Sequence, residues 1–293
     1  VKDLHGITYE DQITFYFEIY NGFQNFSALK CLYAIVCTIY VLGPHDRPTI
    51  IERLCIGFMN ILNDKINDIS CDHLNYILTI NAQLASYLCY SVISQMKEPK
   101  NIENFIRMMA DLTNILIQQK QNLIIVRNAI SFWEKIEAAL RNDGDVGPKK
   151  LISNAYAPQL CINYINYLLD IQNFNIKKGE SSDPNYFHND ILEITENMKI
   201  MKLSQYIFPV QNFVILNPKE ICPKILVGLK EKQKEFVSNI ESSTDITVSE
   251  AQLAFFVEVA TAIILIKKSC NYRDPKISYH PDFFANIISL LRN

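Results

Sequence analysis

Two amphipathic helical segments follow one another with almost no linker: NIENFIRMMADLTNILIQQK, starting at Asn101, and NLIIVRNAISFWEKIEAAL, ending at Leu140. In the second, Ile125, Ala129, Phe132, Ile136 and Leu140 form one apolar stripe, and Val126, Ile130 and Trp133 form another beside it. A helix lying alone on a core needs one stripe. Two stripes suit a helix that touches both its hairpin partner and a neighbouring repeat. The expected fold is therefore all-α, an α-solenoid of HEAT-like helical hairpins. A compact bundle also gives central helices broad apolar arcs and stays open as an alternative.

Helical periodicity dominates the rest of the chain, and strand-like alternation is nearly absent. A first helix is expected from Tyr9 to Gly22, with Ile13, Phe17 and Tyr20 on one stripe. A second runs from Ser27 to Leu42 and ends at Gly43-Pro44. Pro48 suits the first turn of a third, which reaches about Leu62. One long helix is expected from Asp72 to Met96, and Pro99 separates it from the pair at 101–140. Asn142 to Pro148 is a turn cluster. The next helix resumes near Leu151, with Pro158 marking its start, and runs to about Ile171. A helical region from His188 to Ile207 follows. Asn217-Pro-Lys-Glu220 has capping-box logic, but Pro223 would remove a donor, so a short turn and then a helix from Pro223 to Glu241 is expected. Thr247-Val-Ser-Glu250 caps a helix to Lys268, and Pro281 opens the last, to Leu291. This pattern predicts a single solenoid over 1–293 with roughly five hairpins, at about 40 residues per hairpin. The opening Val1-Lys2-Asp3 lacks an initiator methionine and a signal peptide, as expected of a piece of a longer protein.

The longest polar connection runs from Asn173 to Asn185 and contains IKKGESSDP. It reads as an exposed contact loop, with Lys177, Lys178, Glu180 and Asp183 as the residues available to a partner. A solvated linker is the plainer alternative.

Chemistry is harder to find. The five histidines, at 5, 45, 73, 188 and 280, are scattered near helix ends and none pairs with another at i, i+4, so exposed or capping roles are expected. No phosphate loop, nucleophile elbow or zinc-binding helix motif is present. The expectation is a chain that is not an enzyme and needs no cofactor or metal. Glu134 and Glu137 read as solvated residues on the outer side of their helix. The eight cysteines form no C-x-x-C pair and sit mostly in apolar runs, which suits reduced, buried thiols. A net charge of −3 gives no reason to expect nucleic acid or an anionic membrane. The longest apolar stretch, Ala251 to Ile266, is interrupted by Glu258 and is short for a membrane span.

At Val126 to Leu140, VRNAISFWEKIEAAL resembles a helix of the importin-β superfamily of exportin 7 type. Tyr156-Ala-Pro-Gln-Leu160 followed by INYINYLL, and Glu250-Ala-Gln-Leu-Ala-Phe-Phe-Val-Glu-Val-Ala-Thr-Ala-Ile263, resemble later helices of the same family in the same order. Ala260 and Ala262 stand where the family often carries glycine. The resemblance covers about Asp72 to Ile266 and implies a middle fragment of a nuclear transport receptor, or karyopherin. Such a receptor holds protein cargo in a helical superhelix under control of the small GTPase Ran, meets nucleoporins, and moves between cytoplasm and nucleus. The family's Ran-binding repeats lie chiefly toward the amino-terminal end, so no Ran-contact residue is assigned. A generic HEAT scaffold of a phosphatase or vesicle-coat assembly is the alternative. An all-helical enzyme is the remoter one.

Overall fold

A computed structural model of the chain describes residues 8–65, 68–141, 143, 147–180, 204–242 and 246–269, with 285 and 289. The fold is all-α. The helices expected at 188–203 and 281–291 lie outside the described residues, apart from 285 and 289. Backbone proximity divides the chain into two compact units, Val1–Leu116 with Leu123–Ile152, and Ile117–Asn122 with Ser153–Asn293.

The first unit begins with α1, Tyr9–Phe23. Thr8 caps it through a reciprocal box: Thr8 Oγ1 accepts the Asp11 N–H at 3.1 Å, and Asp11 Oδ2 accepts the Thr8 N–H at 3.2 Å. Gln24 closes the other end in the left-handed region at φ 46°. α2, Phe26–Thr38, is capped by Asn25 and tightens into a 3-10 turn at Ile39–Val41. α3 covers Asp46–Lys65 and α4 covers Cys71–Ala85. The single helix expected from Asp72 to Met96 is therefore broken. Ser86 Oγ donates to the Gln83 carbonyl at 2.6 Å, and the amides of Ser86, Tyr87 and Leu88 make i−3 bonds. The chain restarts as α5, Tyr90–Ile93, whose first amide donates to Asp143 Oδ2 at 2.7 Å. That acceptor lies 53 residues away, so local sequence cannot announce it. α6, Lys100–Gln118, and α7, Leu123–Leu140, are the back-to-back pair, and α8 is Gly147–Leu151.

Two pairs of helices in this unit, α1 with α3 and α4 with α7, run the same way. Glu10 and Thr14 of α1 meet Arg53 of α3, while Phe17 meets Gly57 and Phe58, so partners advance together along both helices. Between α4 and α7, Asn128 Nδ2 donates to Asn75 Oδ1 at 2.6 Å, an offset of 53, and the Tyr90–Asp143 bond repeats that offset just beyond both helices. The start of α3 reaches the start of α6, where Glu52 Oε1 accepts the Glu98 N–H at 3.1 Å and Asn101 Nδ2 at 3.0 Å. Both stripes of α7 are buried. Phe132 packs edge-on against Phe105 of α6, and Trp133 donates from Nε1 to Thr113 Oγ1 at 3.1 Å. Glu137 departs from the expected solvated role: it is 2% exposed, because Arg141 one turn on clamps both carboxylate oxygens at 3.0 and 2.6 Å. Glu134 is likewise partly covered and takes Arg127 Nη1 at 2.9 Å.

The second unit packs α9, Ala157–Glu180, against α10, Ser204–Leu216, α11, Pro218–Glu241, and α12, Thr247–Ser269. α9 starts at Ala157, beside Pro158, where the sequence places a helix start. The chain is helical from Gly147, and a π turn at Ile152–Tyr156 widens the ladder just ahead of the proline. Asn217 Nδ2 donates to the Ser153 carbonyl in that turn at 3.0 Å, while Asn217 Oδ1 accepts the Glu220 N–H at 3.2 Å. The cap at Asn217 therefore forms as expected, but the helix begins at Pro218 and carries Pro223 inside it. Pro223 is exposed, so the backbone group it leaves unpaired faces water. Pro209 likewise sits inside α10, past the expected end at Ile207. Tyr164 Oη donates to Tyr206 O at 3.0 Å, Gln211 Nε2 to Ala262 O at 2.7 Å, and Phe256 of α12 fills the space over Gly228 of α11.

Candidate functional site

The amino-terminal ends of α2 and α4 come together in the first unit, and an open cavity of about 460 Å³ lies along them. Asn25 starts α2 by accepting the Ser27 N–H at 2.8 Å, which places Phe26 on the first turn. Ser70 starts α4 by accepting the His73 N–H at 3.4 Å, which fixes the backbone of His73 in the first turn. Phe26 and His73 then stack, with ring centroids 5.1 Å apart and planes at 18°. Tyr20 of α1 reaches the other side of the histidine, its hydroxyl 3.3 Å from Nδ1. Tyr76, one turn along α4, lies 4.9 Å from Phe26 and 5.8 Å from Tyr33 of α2. Lys30 Nζ sits 5.2 Å from the Phe26 centroid. Asp72, Asn75 and Thr79 supply the polar lining.

The phenols hold their protons at neutral pH. Burial raises Tyr20. Burial, then the nearby Cys37 thiol, raises Tyr76. A hydrogen bond with Cys37 is the main cause of the rise at Tyr33. The groove thus offers neutral hydroxyls, aromatic faces and amide groups. Such a lining grips side chains and a peptide backbone by stacking and hydrogen bonding. Among the described residues no group of three or more His, Cys, Asp and Glu is placed to hold a metal ion. No helix of the described residues is long and apolar enough to cross a membrane.

The residues singled out as a contact loop fall elsewhere. Lys177, Lys178 and Glu180 belong to α9, which continues past Ile171 to Glu180, and Asp183 lies outside the described residues. Between Gln172 and Lys178 there is neither proline nor glycine, so polarity alone does not end the helix. His73 was expected to be an exposed or capping histidine. Its backbone is capped, yet its ring is a half-buried member of an aromatic set. The available signal was that Phe26, Tyr33 and Tyr76 stand off the Leu and Ile stripes of their helices. Comparison with protein-family models, curated proteins and solved structures finds no match for this chain.

Proposed function

We propose that the chain is a non-catalytic protein-binding scaffold built as an α-solenoid of HEAT-like hairpins, with the Phe26–His73–Tyr76 groove holding a peptide segment of its partner. The observation that carries the reading is the like-directed pairing of α1 with α3 and of α4 with α7, the latter at an offset of 53 residues that the Tyr90–Asp143 bond repeats beyond them. In stacked hairpins each helix lies beside the corresponding helix of the next repeat, which produces this pattern. The groove suits such a scaffold, because it joins two successive hairpins and offers aromatic faces beside hydrogen-bonding side chains. A photo-crosslinking residue placed at Tyr76 tests this in cells, with the same residue at the exposed Lys135 as reference. A discrete protein adduct from position 76 and none from 135 is expected. No adduct at 76, or identical adducts at both, sinks the reading.

The narrower reading is a transport receptor of exportin type that binds protein cargo under Ran control, meets nucleoporins, and works in cytoplasm and nucleus. Its support is the resemblance of Val126–Leu140, Tyr156–Leu160 and Glu250–Ile263. Trp133, the anchor of that resemblance, is a packing residue. On this reading the protein should retain Ran in its GTP form and release the GDP form in a pull-down. Equal or absent retention of the two removes the transport reading and leaves the scaffold.

A further inference from the structure

α1 carries a second surface. Phe15, Ile19 and Phe23 follow at four-residue spacing on this helix, which puts them on one stripe. Phe15 is 55% exposed and Phe23 is 82% exposed. Clustered exposed aromatics of this kind mark interaction surfaces. The helix that presents them is fixed at both ends, by the Thr8–Asp11 box and by the left-handed Gln24, so the stripe is held ready for a partner.

The opposite side of α1 shows what such a helix accepts. There Glu10 Oε2 meets Arg53 Nη2 at 2.7 Å, and Phe17 lies on Gly57, four residues along the same neighbouring helix. An aromatic ring enters the space over a small residue while an acid on α1 meets an arginine. The exposed side repeats the α1 half of that arrangement. Asp11 stands one turn before Phe15 and Glu18 one turn after it, and both are exposed. α1 contains three acidic residues, Glu10, Asp11 and Glu18, and no lysine or arginine.

We propose that this face docks an amphipathic helix of a partner protein, one with apolar and small residues on its contact stripe and arginine or lysine at the stripe's edges. Charge selects this occupant over others. A second copy of the chain meeting α1 against α1 would bring Asp11 and Glu18 toward their own counterparts, and an anionic lipid surface would be repelled in the same way. The inference uses no residue of the Phe26–His73–Tyr76 groove, so either can fail without the other.

The test uses the whole 293-residue chain and a labelled synthetic helix with leucine and alanine on one face and arginine at its edges. Fluorescence anisotropy is expected to show saturable binding that weakens as salt is raised. Replacing the edge arginines by glutamate should weaken it about tenfold or more, as should Phe15→Asp or Phe23→Asp in the chain. Ile124→Asp, at an apolar residue of α7 that is 51% exposed, should leave binding unchanged. Circular dichroism checks that each variant keeps its helix content. Absence of binding, equal binding of the arginine and glutamate helices, or equal losses from Ile124→Asp and Phe23→Asp overturns the proposal. So does binding that appears only after residues 1–7 are removed, which would make the chain's own first residues the occupant. Concentration-dependent dimers abolished by Phe23→Asp in sedimentation would assign the face to self-association and overturn it too.

Discussion

The two compact units are both helical, yet they are held together differently. In the first, the named contacts join a hairpin to itself or to the next one: α1 to α3, α2 to α4, α3 to α6, α4 to α7. In the second, α9, α10, α11 and α12 each touch the other three. The first unit is cross-linked by side-chain pairs between corresponding points of successive helices, such as Asn75 with Asn128. The second relies on side chains bonded to backbone carbonyls, such as Tyr164 to Tyr206 O and Gln211 to Ala262 O. The contrast separates two ways of burying a broad apolar arc. In one, each helix divides it among a few neighbours; in the other, every helix turns part of it toward the other three.

The largest effect should come from removing the residue that ties α7 to α6. Trp133 is 1% exposed and bonded to Thr113, so Trp133→Ala should cost about 4 kcal/mol of unfolding free energy in urea. Hydrogen exchange should then show lost protection in α6 and α7 while α11 and α12 keep theirs. Equal loss everywhere would mean that the two units unfold as one.

Next come the glycines under aromatic rings, one in each unit. A Cβ at Gly228 would stand 2.8 Å from Phe256 Cζ, and one at Gly57 would run into the Phe17 ring. Gly57→Ala and Gly228→Ala should each cost about 1–3 kcal/mol, with exchange rising around α1 and α3 for the first and around α11 and α12 for the second. Matching exchange patterns for the two variants would erase the distinction between the units.

A smaller change in the opposite direction is expected at Asn81. This residue is fully buried in α4, its Nδ2 reaches only the Met109 sulfur at 3.6 Å, and its Oδ1 has no hydrogen-bond partner. Asn81→Leu should raise stability by about 1 kcal/mol, read as a higher urea midpoint.

The smallest effect is a pH dependence in the second unit. Burial pushes the Cys222 thiol from its ordinary value of 9.0 to about 12. The unfolded chain ionises this thiol first. The stability it contributes is therefore complete below pH 9, and it is lost as the pH rises from there toward 12. Cys222→Ser should flatten that stretch of the stability–pH profile. Among the described cysteines of the native chain at pH 8, a thiol reagent should modify the exposed Cys71 first, and the buried Cys55, Cys161 and Cys222 only on unfolding.

Much of the helical order was legible in advance, because apolar spacing and caps are local signals. Ile13, Phe17 and Tyr20 form the buried stripe of α1, and both stripes of α7 are covered. The cap at Asn217 and the start of α12 at Thr247 also sit where the pattern places them. The misreadings have different causes. The break after Ala85 depends on Asp143, and the burial of Glu137 depends on an arginine clamp. Pro223 was read as a boundary, because a proline's missing donor is visible in sequence while a helix that carries on past it is not.

The groove was less legible still. Phe26 and His73 are separated by a helix, a turn and another helix, and nothing local says that their rings will stack. The sequence by itself determined that this chain is helical, which residues line each helix's buried face, and where most helices cap, since those depend on neighbours within about four positions. Tertiary structure decided which helices lie side by side and which aromatics gather around His73. Those outcomes depend on partners 20 to 64 residues away, brought within reach only when the helices pack.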